Sequence, residues 1–164
     1  MKKIVSVVGG LLVGIFLLSG CSSQQSATDY SSNLIKLQSK VGRAMTDFGD
    51  ALGAETPDPQ LMTEKHTALL TTVSEAAKAV EVIKPFNGDN TLKDAIVKLF
   101  QFYQDIGNNE FKEMLNIMKK PGIQEADVQK MAELSQRVAE REKPLDLTLQ
   151  TAMGVFVQKN NLKK

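Results

Sequence analysis

A chain of 164 residues fits a single domain. Its 20 basic and 19 acidic residues nearly cancel, which excludes a polyanion binder driven by net charge, because counterion release needs clustered lysine and arginine. The single cysteine excludes a disulfide framework and any multi-thiolate metal site.

The first 20 residues, MKKIVSVVGGLLVGIFLLSG, open on Lys2 and Lys3, run apolar over 4–18 and end on small residues. That run is about 15 residues long, short of the roughly 20 that a spanning helix needs. It also contains Gly9, Gly10 and Gly14, so residues 1–20 read as a cleavable export signal. The working protein then begins at Cys21. Losing Lys2 and Lys3 leaves 18 basic residues against 19 acidic ones.

The stretch Leu18-Ser19-Gly20-Cys21 resembles the lipobox of bacterial lipoprotein precursors. The family pattern asks for Leu, two small residues and Cys, and all four positions match. The likeness covers only the first 21 residues. It implies a diacylglyceryl thioether on Cys21, cleavage before that residue and often acylation of the new amine. Each buried methylene contributes about 0.8 kcal/mol, so two or three chains hold a protein at a bilayer where one does not. Ser22 stands where an aspartate tends to retain lipoproteins of enteric-type Gram-negative bacteria in the inner membrane. The likeness therefore implies a cell-envelope protein, at the outer membrane where the host has one.

Residues 22–28, SSQQSAT, are small and polar and read as a tether reaching about 25 Å from Cys21. The domain proper is expected over 29–164. Leu34, Leu37, Val41, Ala44, Phe48 and Ala51 alternate steps of three and four, with Tyr30 one step earlier, and predict a first helix. Gly42 and Gly49, beside that seam, suggest a close approach by a neighbour. Gly53 and the Pro57-Asp58-Pro59 segment end this helix, and Asp58 followed by Pro59 starts the next.

The second helix sets Met62, His66, Leu69, Val73, Ala76, Val80 and Ile83 on one face, until Pro85 and Asn87-Gly88 stop it. Thr91 and Asp94 resemble a capping box for a third helix with Leu92, Ile96, Leu99, Tyr103 and Ile106 on one face. Its register shifts near Gly107-Asn108-Asn109 and resumes at Phe111, Met114 and Met118, which predicts a kink. Lys119-Lys120-Pro121-Gly122 ends it. A fourth helix carries Val128, Met131, Ser135, Val138, Leu145, Leu149, Ala152 and Phe156, with a bend expected over 140–144, before Pro144. The expected fold is all-α: an antiparallel up-down four-helix bundle after a cleaved signal peptide and a short tether.

Chemistry is sparse. His66 is the sole histidine, and with Met62 one turn earlier it forms a weak candidate pair for a soft metal. Two ligands make no site, and a ring hydrogen-bonded at the bundle's rim is the plainer reading. The Glu-x-x-His motif of di-iron bundles is missing, and Cys-x-x-Cys-His haem attachment needs a second cysteine. A haem between His66 and Met153 has nothing further in its favour.

The carboxylates, Glu110 among them, are interleaved with lysines as on solvated helix faces; Glu142 alone counts onto a seam, beside Pro144. Phe102 falls off the face of Phe100 and Tyr103, so it is either packed against a neighbouring helix or exposed as a partner-binding residue. Lys159, Lys163 and Lys164 make a small basic tail. No catalytic constellation, cofactor motif or nucleic-acid signature is legible.

The expected protein is a non-enzymatic, lipid-anchored envelope component, with a bundle for binding or scaffolding. Its partners are the membrane, through Cys21, and an unidentified envelope protein. The alternative is a small-ligand or metal carrier using the bundle interior, around Phe111, Met114 and Met118 or at Met62 and His66.

Overall fold

A computed structural model describes residues 26–162; the export segment, Cys21 and the final two lysines lie outside the described residues. The helices are α1 (Ala27–Leu52), α2 (Pro59–Glu81), α3 (Thr91–Asn108), α4 (Glu110–Met118) and α5 (Glu125–Lys159). The third and fourth segments are one arm broken at Asn109, so the architecture is a four-armed all-α bundle. Among the described residues, the only β pairing is an isolated bridge between Phe86 and Asp89 in the α2–α3 turn.

The arms run antiparallel because each turn is short and well signalled. Ser26 caps α1 through its hydroxyl, which accepts from the Asp29 N–H, so the helix begins two residues inside the stretch that reads as tether. The Asp58 carboxylate accepts from the N–H groups of Gln60 and Leu61, and Pro59 fills the first turn where no donor is needed. Gly88, at φ +79°, closes the Asn87-Gly88 turn in the left-handed region where a Cβ is strained.

Thr91 does not cap α3. It is already in the helix, and its N–H is satisfied by the Asp89 carboxylate at 2.8 Å. At α5 the Asp127 carboxylate reaches back to the Gln124 N–H at 3.1 Å.

The core is built where the heptads place it. Tyr30, Leu34, Val41 and Phe48 of α1 meet Leu69, Val73 and Val80 of α2, and Leu92, Ile96, Leu99, Phe100 and Ile106 of α3. At one end Tyr30, Phe86 and Phe156 form an aromatic cluster with centroids 5.4–5.5 Å apart, which brings the start of α1 to the end of α5. At the other end Phe48 lies against His66 and Phe111, each at 5.3 Å.

The expected kink is present. Asn109 leaves helical geometry (φ −113°, ψ −86°) between α3 and α4. Gly107, just before it, makes the closest helix approach of any glycine described: an added Cβ would sit 2.6 Å from Leu70 Cδ2. Gly42 and Gly49 do not serve that purpose, since both are exposed and a Cβ there meets nothing within 4 Å. Glycine costs up to about 1 kcal/mol relative to alanine inside a helix. Gly42→Ala and Gly49→Ala should therefore each raise stability by about 0.5–1 kcal/mol, read as a higher urea midpoint at unchanged slope. A loss of stability would mean a neighbour occupies that face.

The seam of α5 departs from the sequence reading. The buried stripe passes through Leu134, which is wholly enclosed, whereas Ser135 is exposed and Val128 is 59% exposed. The first turn of α5 is largely exposed, and the buried seam runs Met131, Leu134, Val138. Pro144 sits inside α5, which continues past it to Lys159. Glu140, Lys143 and Pro144 are all exposed, so the turn that loses a backbone donor to Pro144 is on the solvent side of the helix.

Candidate functional site

Each arm packs chiefly on its neighbours in sequence: α1 on α2, α2 on α3, and α3 on α5. The ring is not closed along its whole length. Below the Tyr30–Phe156 stack, α1 and α5 leave a groove of about 1030 Å³. Its walls are Ile35 of α1 and Leu149, Met153 and Val157 of α5; Ile96 of α3 forms the floor, and Leu162 lies at the end.

The local reasons are readable. Ile35 is one residue past the buried Leu34, which turns it about 100° out of the core, and it stays 42% exposed. Leu149, Met153 and Val157 recur every four residues and form a second apolar stripe beside the buried one through Ala152 and Phe156. Gly154, also in the wall, has nothing within 4 Å of a built Cβ, so it leaves the groove wide at mid-length.

The polar groups lining the groove are the amides of Gln38, Gln150, Gln158 and Asn161, and no lining residue is charged. In a chain with 24% charged residues, that lining is chemically suited to uncharged, apolar groups. It offers no nucleophile, general base or anion cradle.

A separate polar cluster closes the α3–α4–α5 junction. Arg141 extends from α5 over the break, donates to Glu110 Oε1 at 2.8 Å and pairs with Asp105. The Glu110 residue is 5% exposed, which overturns its reading as a solvated helix-face acid. The Arg141 guanidinium also lies 5.2 Å from the centre of the Phe102 ring, a cation–π contact. Phe102 is thus 7% exposed, and its candidacy as a partner-contact residue is corrected: it packs beside Tyr103, under Arg141.

Tyr103 donates its hydroxyl to Glu142 Oε1 at 2.7 Å. Glu142 is half-buried, the seam acid that heptad counting singles out. Burial, reinforced by the Glu142 hydrogen bond and charge, pushes the Tyr103 hydroxyl well above the ordinary tyrosine range. A raised folded pKa stabilises below the unfolded value and is lost as pH climbs above it. Stability should therefore fall as pH rises above about 10, where an unfolded tyrosine ionises. Tyr103→Phe should flatten that part of the profile in alkaline denaturation; an unchanged slope would contradict the assignment.

The remaining sequence candidates are also placed. Met62 is fully buried against Ala51 and Leu115. His66 is buried, and its Nε2 lies 2.7 Å from the Gly107 carbonyl, to which the N–H donates across to the third arm. With that nitrogen engaged and Met62 packed in the core, the pair is a helix junction. Among the described residues, no group of three or more His, Cys, Asp or Glu side chains is placed to hold a metal ion.

Met114 packs with Ile117 and Leu134, and Phe111 lies against Phe48, so this part of the interior is filled. Lys159 pairs with Asp89 at 3.0 Å. The Thr91 hydrogen bonds first, and Lys159 second, hold the Asp89 carboxyl well below the usual carboxylate range. Cys21 lies outside the described residues.

Sequence reasoning missed the groove and the burial of Glu110. The four-residue stripe of Leu149, Met153 and Val157 was a usable signal for the first. Nothing local marked the second, since Arg141 lies 31 positions away.

Fold and site together define an all-α bundle with a lateral, uncharged apolar groove. No protein-family model, curated protein or solved structure matches the chain.

Proposed function

We propose that this chain is a lipid-anchored cell-envelope protein whose bundle is a non-enzymatic binding module, with the α1–α5 groove as its binding element. The anchor rests on the lipobox likeness at Leu18-Ser19-Gly20-Cys21. The observation that supports binding over pure scaffolding is the groove itself, sizeable, apolar and free of charge. Anchoring confines the module to one surface, raising its effective concentration for anything held there. In a Gram-negative host, Ser22 favours the outer membrane.

The carrier alternative changes form. A metal has no donor set at Met62 and His66, whereas an apolar small ligand fits the groove. The test uses the unacylated chain from residue 22 onward and a fluorescent long-chain fatty acid as probe. Saturable binding in the micromolar range is expected. Gly154→Trp, which fills the groove from a position open to a side chain, should weaken it tenfold or more. Binding that is absent, or indifferent to Gly154→Trp, would remove the groove from the account.

A further inference from the structure

The groove's occupant can be narrowed by where the anchor enters the domain. We propose that the α1–α5 groove receives one acyl chain of the protein's own anchor at Cys21, an inference that rests on the lipid-anchor reading above.

Reach comes first. Ser26 lies five positions beyond Cys21, a link that reaches at most about 17 Å fully extended. Ser26 caps the end of α1 whose Tyr30 stacks on Phe156, so the anchor's point of attachment and the α5 terminus lie at the same end of the bundle. Leu162 and Asn161, beyond Phe156, belong to the groove lining, so the lateral groove extends to that end, which serves as its mouth for a chain arriving from the tether. From the end of α5 at Lys159 the lining continues to Leu149, about 15 Å at 1.5 Å per residue. An acyl chain spans one leaflet, about half of the roughly 30 Å hydrocarbon core. The groove is long enough, and the tether delivers a chain to its mouth.

Chemistry comes second. An aliphatic chain has no polar atom beyond its ester or amide carbonyl, and the groove has no charge to match one. The amides of Gln158 and Asn161, near the mouth, suit a carbonyl; the apolar walls suit the methylenes. A chain moving from bilayer to groove exchanges one apolar surrounding for another, so the transfer is close to neutral. Because it is already attached, it loses no translational freedom on docking, and the short tether keeps it at high local concentration. With three acyl groups on Cys21, two remain in the bilayer, enough for a stable anchor. Docking would hold the groove mouth against the membrane surface and fix how the bundle stands on it.

The experiment uses the full precursor, processed in a bacterial host fed a diazirine-bearing fatty acid. The acylated protein is purified, reconstituted into nanodiscs of unlabelled phospholipid and irradiated. The mass of the N-terminal peptide is measured first; an unmodified Cys21 would sink the anchor reading itself. With acylation established, crosslinks from the Cys21 chain are expected on Met153, Val157 and Ile35. They should fall at least tenfold in Gly154→Trp and persist in Gly154→Ala, with the helical circular dichroism of both retained. The acylated protein should also take up the external fatty-acid probe at least tenfold more weakly than the unacylated chain. Crosslinks confined to phospholipid would overturn the proposal. So would labelling of the groove only when the diazirine is carried by nanodisc lipid, or a groove covered by a second copy, seen as a stable dimer.

Discussion

Arg141→Ala should destabilise the bundle by about 3 kcal/mol, and Arg141→Ala with Glu110→Gln should recover most of that loss. The Glu110 carboxylate is almost wholly enclosed, and Arg141 is its ion-pair partner in the structure. Breaking a buried pair by removing one partner costs about 3–5 kcal/mol, because the other charge stays in a poor solvent. The lower end applies, since Arg141 is itself partly exposed and water enters once it is gone. The lost cover over Phe102, about 0.5–1 kcal/mol, is included in that figure.

For a domain of this size a loss of 3 kcal/mol lowers the melting temperature by roughly 10 °C. The double variant separates the two causes: Glu110→Gln removes the stranded charge while keeping the shape. Equal melting temperatures for the single and double variants would show that Arg141 acts through packing over Phe102 alone.

Cys21→Ala should release the protein from the membrane fraction while leaving its helical circular dichroism intact. No helix among the described residues is long and apolar enough to cross a membrane. Under the proposed lipid anchor, attachment rests on the acyl groups. Each buried methylene contributes about 0.8 kcal/mol, so two long chains outweigh any contact the bundle surface makes. The helical signal should persist because α1 carries its own cap at Ser26. A Cys21→Ala protein that stays in the membrane fraction would place the attachment elsewhere.

Much of the bundle was legible in the sequence because the same residues serve local and tertiary structure. Asp58 and Pro59 are a cap and a first turn by their own chemistry, and the stripe from Tyr30 to Ala51 cannot be buried except as a helix face. The break at Asn109 showed as a register shift between Ile106 and Phe111. Cap choice at α3 was harder, since Asp89 and Thr91 both have suitable side chains two positions apart, and only the turn geometry selects the carboxylate.

Long-range geometry was not legible. Ser135 and Leu134 fit neighbouring periodic readings of α5, and which one is buried depends on how α5 leans on α4. Glu110 looks like any acid beside a lysine until Arg141 arrives from another arm. The groove exists because α1 and α5 do not pack along their length, a relation between the two ends of the chain that heptad counting does not encode. Its uncharged lining was visible only after the helices were placed together.

The most direct test of a lipid-anchored bundle is the intact mass of the mature N-terminus from the native-type host. The account predicts a chain that begins at Cys21 and carries a diacylglyceryl group on its sulfur, recovered with the membranes. A chain beginning elsewhere, or a Cys21 with a free thiol, would contradict it.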